Sequence, residues 1–265
     1  MPELPEVEAY RRLAQAALHR TVSGVEAPDP WYLKGGLDAE ELAKALVGNR
    51  LGSVRRVGKR LRMSVERADG FPGAVLGLRF GMSGSLLVDG RSPLEEELLY
   101  TSGRPEPGWV RLVVAFEDGG SLSVWDPRRL GGVELDPSDE ALGPDAEEVS
   151  LVELGRALSG RAPLKARLLD QSRLAGVGNL LGDEVLWRAG LDPRRPAGSL
   201  SFAELRQLHL HLRSATSQLI ARGGSHKGDL WPQRRPGGRC PEDGEELACA
   251  KVGGRTTWWC PRHQR

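Results

Sequence analysis

The chain has 265 residues, 39% of them hydrophobic and 28% charged, and 37 Lys and Arg against 36 Asp and Glu leave a formal charge of +1. That length allows one large or two modest domains with buried cores. No apolar run approaches the roughly 18 residues of a membrane span. The opening MPELPEVE carries carboxylates where a signal peptide is basic and then apolar. Three cysteines, two of them in the last 17 residues, exclude a disulfide scaffold. These features predict a soluble, cytoplasmic, globular monomer with no membrane partner.

In chain order, ELPEVEAYRRLAQAALHR places Val7, Tyr10, Ala14, Ala17 and Leu18 on one helical stripe. Pro5 suits its first turn, and Glu3, Glu6 and Glu8 suit the positive end of its dipole. From about 50 to 133 come short β-type runs: SVRRVG, RLRMSV, AVLGLRF, GSLLV, VRLVVAF and SLSVWD. Asp69-Gly70, Asp89-Gly90 and Asp118-Gly119 punctuate them, which predicts antiparallel hairpins in a sandwich or barrel. Residues 130–155 hold eight acids and no Lys or Arg, whereas 50–67 hold seven basic residues and one acid. A summed charge near zero therefore hides a basic stripe that a polyanion could use.

Four helical segments follow: SLVELGRAL, APLKARLLDQ, NLLGDEVLWRAG and the long FAELRQLHLHLRSATSQLIARGG, stopped at Gly190 and at Gly223-Gly224. The tail from 225 is rich in Gly, Arg and Pro and holds all three cysteines. The fold class is α+β. It has an N-terminal helix and antiparallel β-sandwich (1–133), a linker (134–150), a helical domain (151–224) and a Cys-bearing hairpin (225–265).

Removal of Met1 before the small Pro2 leaves a secondary α-amine. Such a group has a pKa of about 7.7 to 8, so part of it is neutral and nucleophilic at neutral pH. Attack on an aldehyde-type carbon gives an iminium ion, an electron sink, and Glu3 beside it can move protons.

MPELPEVE resembles the amino terminus of the formamidopyrimidine-DNA glycosylase and endonuclease VIII family. So do GKRLRM, RFGMSGSL, DPRRLGG, LLDQSRLAGVGNLLGDEVLWRAGLDP and GGRTTWWC, in family order from Met1 to near the end. The resemblance implies a bifunctional glycosylase and AP lyase of base excision repair, acting on damaged DNA. Pro2 is implied as nucleophile, with Glu3 as proton donor, Glu6 supporting it and Lys59 contacting phosphate near the lesion. A flipped nucleotide leaves a gap in the duplex. Met82 matches the family's gap-filling methionine and Arg128 the arginine facing the orphaned base. Leu130 stands where many relatives have phenylalanine, which weakens stacking. Arg79 replaces a phosphate-binding histidine.

The AGVGN turn resembles the helix–two-turn–helix element, with Asn179 on phosphate and Lys165 and Glu184 beside it. Arg255 matches the hairpin arginine that grips phosphates. Relatives carry a structural zinc hairpin spaced C-x2-C-x16-C-x2-C. The same spacing here reads Cys240, Asp243, Cys260 and His263, with Cys249 as an alternative to Asp243. Only 15 residues separate Gly224 from Cys240, so a long base-capping loop is missing. That shortness resembles the endonuclease VIII branch. It implies a preference for formamidopyrimidines, hydantoins and oxidised pyrimidines. A non-catalytic lesion-binding relative is the competing reading.

Overall fold

The computed structural model describes residues 2–93 and 106–265, so Met1 and the expectation of its removal lie outside the described residues. The chain divides into two compact units. The first takes in Pro2 and residues 6–139, the second residues 3–5 and 140–265. This boundary falls within the stretch expected to be a linker.

The first unit is built on two four-stranded antiparallel sheets. One has the order β1 (Val22–Glu26), β6 (Val110–Phe116), β7 (Ser121–Trp125), β5 (Ser85–Val88). The other runs β2 (Arg50–Val57), β3 (Arg60–Glu66), β4 (Pro72–Arg79), β8 (Gly132–Leu135). Alternation of side chains sends Leu61, Met63 and Val65 of β3 and Leu112, Val114 and Phe116 of β6 into one apolar core. Helix α1 (Leu4–Ala14) adds Val7, Tyr10 and Ala14 to that core, as the helical stripe predicts. The helix ends earlier than its pattern suggests. Residues 15–17 tighten to a 3-10 turn, and His19 at φ 62° breaks the spiral.

The Asp-Gly pairs turn the chain as expected. At Asp89 (φ 51°) and Gly90 (φ 74°) both residues are left-handed, which makes a mirror-image tight turn. Strands β1 and β8 and helix α2 (Ala39–Leu46) were not read from the sequence. β8 occupies the first two residues of the expected linker.

In the second unit α3 (Leu151–Ala157), α4 (Leu164–Leu169), α5 (Asn179–Arg188) and α6 (Phe202–Arg222) enclose a second core around Leu154, Leu168, Leu181, Leu186, Leu212 and Leu219. Helices α3 and α6 each open on a capping box, Ser150 with Glu153 and Ser201 with Glu204. Gly223 at φ 91° closes α6 with two backbone bonds. Strands β9 (Ala248–Val252) and β10 (Arg255–Trp259) form the terminal hairpin.

Candidate nucleic-acid interface and metal centre

Glu3, 1% exposed, lies against the start of α5. The N–H groups of Leu180 and Leu181 donate to its two carboxylate oxygens at 2.9 and 3.0 Å. A helix start leaves such donors orphaned and carries positive partial charge, so an acceptor at both oxygens suits it. Gly178 makes the approach possible, because a Cβ there would lie 2.1 Å from the Glu3 carboxyl carbon. Gly176, at φ 108°, leaves the same kind of room for Leu4. The glycines expected to admit a phosphate thus first admit the N-terminal residues, a contact 177 residues apart in sequence. Pro2 is buried immediately before this pair, and Glu6 is buried in the first turn of α1.

In the sandwich, Lys59 occupies the Gly58-Lys59 turn between β2 and β3, with Gly58 at φ 56°. Arg79, at the end of β4, pairs with Glu134 of β8 at 2.9 Å. Met82 sits in the turn after β4, and the structure brings it to the loop that carries Arg128 and Leu130. Gly81 (φ 57°) allows this, since a Cβ there would lie 2.4 Å from the Leu130 carbonyl carbon. Arg128 and Leu130 are exposed, Leu130 by 53%.

The organiser of both turns is Asp126, fully buried and not singled out from the sequence. It accepts from the Ser83 hydroxyl at 2.6 Å and from the N–H groups of Arg128 and Gly131 at 3.2 and 2.8 Å. An Asp opening a Pro-containing turn is the signal that could have found it. Asp29 is a second such residue. It takes a two-pronged contact from Arg129, both bonds 2.7 Å, while Arg111 stands 3.4 Å behind. The Arg129 guanidinium holds the Asp29 carboxyl below its usual range against the opposing effect of burial.

In the second unit, Asn179 begins α5 and its buried Oδ1 has no partner among the described residues. Arg255 is exposed at the start of β10. Lys165 departs from expectation. It is fully buried, its ammonium 2.5 Å from Asp183 and 2.7 Å from the Thr257 hydroxyl. Burial pushes its pKa down and Asp183 opposes this. Arg234 also reaches Asp183, at 2.8 Å. Lys165 is therefore committed to packing the hairpin on α4 and α5. Glu184 is committed likewise, accepting from the N–H groups of Asp229 and Leu230.

Cys240, Asp243, Cys260 and His263 bring their ligand atoms within 4.8 Å of one another. The chemistry of this donor set fits zinc. His263 presents Nδ1, 3.5 Å from the Cys240 sulfur, while its Nε2–H donates to the Trp187 carbonyl at 3.0 Å. That second bond fixes the tautomer a metal ligand needs. The Glu245 N–H holds the Asp243 carboxyl down at about 2, and burial pushes the Cys260 thiol up to about 11. A metal here has to displace the thiol proton. Cys249 is exposed on β9 opposite Trp258 and outside the cluster, so Asp243 rather than Cys249 stands with the other three.

Residues 1–133 match the formamidopyrimidine-DNA glycosylase N-terminal domain, and residues 138–229 match the formamidopyrimidine-DNA glycosylase H2TH domain. Formamidopyrimidine-DNA glycosylases of Geobacillus kaustophilus and Paracoccus denitrificans are 30% and 33% identical, each over 100% of both chains. A Lactococcus lactis Fpg in complex with abasic-site DNA superposes with a TM-score of 0.81 at 26% identity, over 99% of both chains. These relatives carry the formamidopyrimidine name, against the likeness to endonuclease VIII expected from the short 225–239 segment. Full-length identity of this order, two matching domains and a shared fold lead to one conclusion: the chain belongs to the formamidopyrimidine-DNA glycosylase family of DNA repair enzymes.

Proposed function

We propose that this chain is a bifunctional DNA glycosylase and AP lyase that excises oxidised bases through its N-terminal proline. The observation that carries the reading is the anchoring of Glu3 by two backbone donors, directly beside Pro2. A proton-transfer group needs a fixed position, and this one is held at both oxygens. The Pro2 nitrogen bonds to C1′ of the flipped nucleoside as the bond to the damaged base breaks, and the base leaves with a proton. The sugar ring opens, with Glu3 protonating its oxygen, to give an iminium ion. Loss of the C2′ proton to a base then expels the 3′ phosphate, a second elimination expels the 5′ phosphate, and water hydrolyses the iminium to release the unsaturated sugar aldehyde and restore the free Pro2 amine.

Lys59, Arg79, Asn179 and Arg255 grip phosphates, and Met82, Arg128 and Leu130 enter the gap. Zinc, held by Cys240, Asp243, Cys260 and His263, supplies a structural cross-link for the hairpin.

The substrates are formamidopyrimidines, hydantoins and oxidised pyrimidines. Such lesions disturb stacking or pairing and are cheaper to extrude than a well-paired 8-oxoguanine. A point mutant of the Lactococcus lactis Fpg has been captured with Fapy-dG DNA and the wild type with oxidised-pyrimidine DNA, which supports this range. The test is incubation with a duplex holding one formamidopyrimidine and no second enzyme. The expected products are free base and a one-nucleotide gap bordered by two phosphates. Base release from an uncut strand overturns the lyase half of the proposal, and an intact base overturns both halves.

A further inference from the structure

The loop carrying Arg128 and Leu130 is held in two places. Asp126 ties its base, through the N–H groups of Arg128 and Gly131. Its middle residue, Arg129, adopts φ 57°, a left-handed conformation uncommon outside glycine. That residue is exposed, yet its side chain is not free. Its guanidinium closes on both oxygens of Asp29, a residue 100 positions earlier in the chain. Asp29 is itself fixed, 8% exposed, accepting from the Trp31 N–H at 3.2 Å with Arg111 behind it. The segment after it is joined to the strand beyond the loop, since the Lys34 N–H donates to the Val133 carbonyl at 2.9 Å.

Three consecutive exposed residues thus behave differently: the side chain of the central one is anchored sideways, while those of its two neighbours have no hydrogen-bond or ion-pair partner among the described residues. We propose that Asp29 is a positioning residue, whose two-pronged ion pair with Arg129 presets the loop that presents Arg128 and Leu130 to DNA. The proposal rests on the reading of Arg128 as the residue facing the partner base. A planar guanidinium fork fixes direction as well as distance, which a single hydrogen bond does not. Without it the loop has to be ordered during each insertion, at a cost in binding and rate. The effect therefore falls on partner-base discrimination as well as on speed.

The test compares Asp29→Asn, which keeps the shape and the Trp31 acceptor, with Asp29→Glu, which keeps the charge. Single-turnover excision of a formamidopyrimidine is measured opposite each of the four bases. Alongside it, hydrogen exchange over 126–132 and thermal melting are followed without DNA. We expect Asp29→Asn to melt with the wild type, to exchange faster over 126–132, and to excise roughly tenfold more slowly. Its partner-base ratios should flatten to those of Arg128→Ala, and the double variant should be no slower than Arg128→Ala alone. Asp29→Glu should restore part of the ratio.

Unchanged exchange together with unchanged ratios overturns the proposal. So does a loss that adds in full to that of Arg128→Ala, which marks a general structural defect. Tighter DNA binding by Asp29→Asn also overturns it, because Arg129 is then a phosphate contact that Asp29 restrains. If Arg128→Ala leaves the wild-type ratios unchanged, the base-facing reading fails on its own. Loop exchange and excision rate then decide the role of Asp29.

Discussion

The β-sandwich and the terminal hairpin hold the side chains proposed to meet DNA in place by different means. The sandwich rests Arg79, Met82, Arg128 and Leu130 on a core of 24 buried apolar residues among those described. The core beneath the hairpin comprises five: Trp187, Leu230, Cys240, Leu247 and Cys260. Burial stabilises by about 25 cal/mol per Å² of apolar surface, so the first region has ample means and the second little. A small apolar cluster needs a cross-link. Four side chains of ligating chemistry meet where the core is thinnest. The loops of the sandwich, with apolar support below them, are organised instead by buried carboxylates, Asp126 and Asp29.

That contrast can be broken most severely by metal removal. Chelation, or Cys260→Ser, should unfold the hairpin, weaken DNA binding by at least the contact of Arg255, and leave the sandwich transition in place. Calorimetry with elemental analysis checks this. About one zinc per chain and a separate low-temperature transition are expected, and active metal-free protein with an unshifted melting curve would refute it.

In the sandwich the corresponding damage is a cavity. Leu78 is fully buried, and Leu78→Ala should cost about 2–5 kcal/mol in denaturant titration, with no change in zinc content.

A smaller effect concerns the interface. Each charged phosphate contact gives a log–log salt slope of about −0.9, so Arg255→Ala should shallow the slope by about that amount and weaken all sequences alike. A salt-insensitive affinity would contradict the assignment of Lys59, Arg79 and Arg255.

The smallest effect lies in the helical region. Arg195 and the Ser201 cap depress Glu204 from 4.5 to about 2. A carboxyl lowered on folding stabilises above its unfolded value and loses that contribution as pH falls through the folded value. The Glu204 contribution should therefore be whole above about pH 4.5 and gone below about pH 2. Glu204→Ala should cost about 1 kcal/mol at neutral pH and little in strong acid, as melting across that range shows.

Much of this was legible in the sequence where the signal is local. The α1 stripe, six strands, four helices and the glycine stops follow from side-chain period and turn chemistry. Strands β1 and β8 were not legible. β1 is the five-residue VSGVE with a glycine inside it, and β8 is only GVEL. Long-range carboxylate contacts were invisible for a different reason. Nothing near Glu3 announces Leu180 and Leu181, nothing near Asp29 announces Arg129, and the burial of Lys165 depends on Asp183 and on Thr257 of a distant hairpin. The choice between Asp243 and Cys249 needed the strand register that sets Cys249 opposite Trp258.

Borohydride reduction during reaction with an abasic-site duplex tests whether the Pro2 amine performs the chemistry proposed for it. A covalent protein–DNA adduct on Pro2, found by mass spectrometry, is expected. The adduct should be sharply reduced in Pro2→Gly and absent when one residue is added before Pro2, because an amide nitrogen has no nucleophilic lone pair. Undiminished trapping with the terminus blocked would contradict it and move the nucleophile to a lysine.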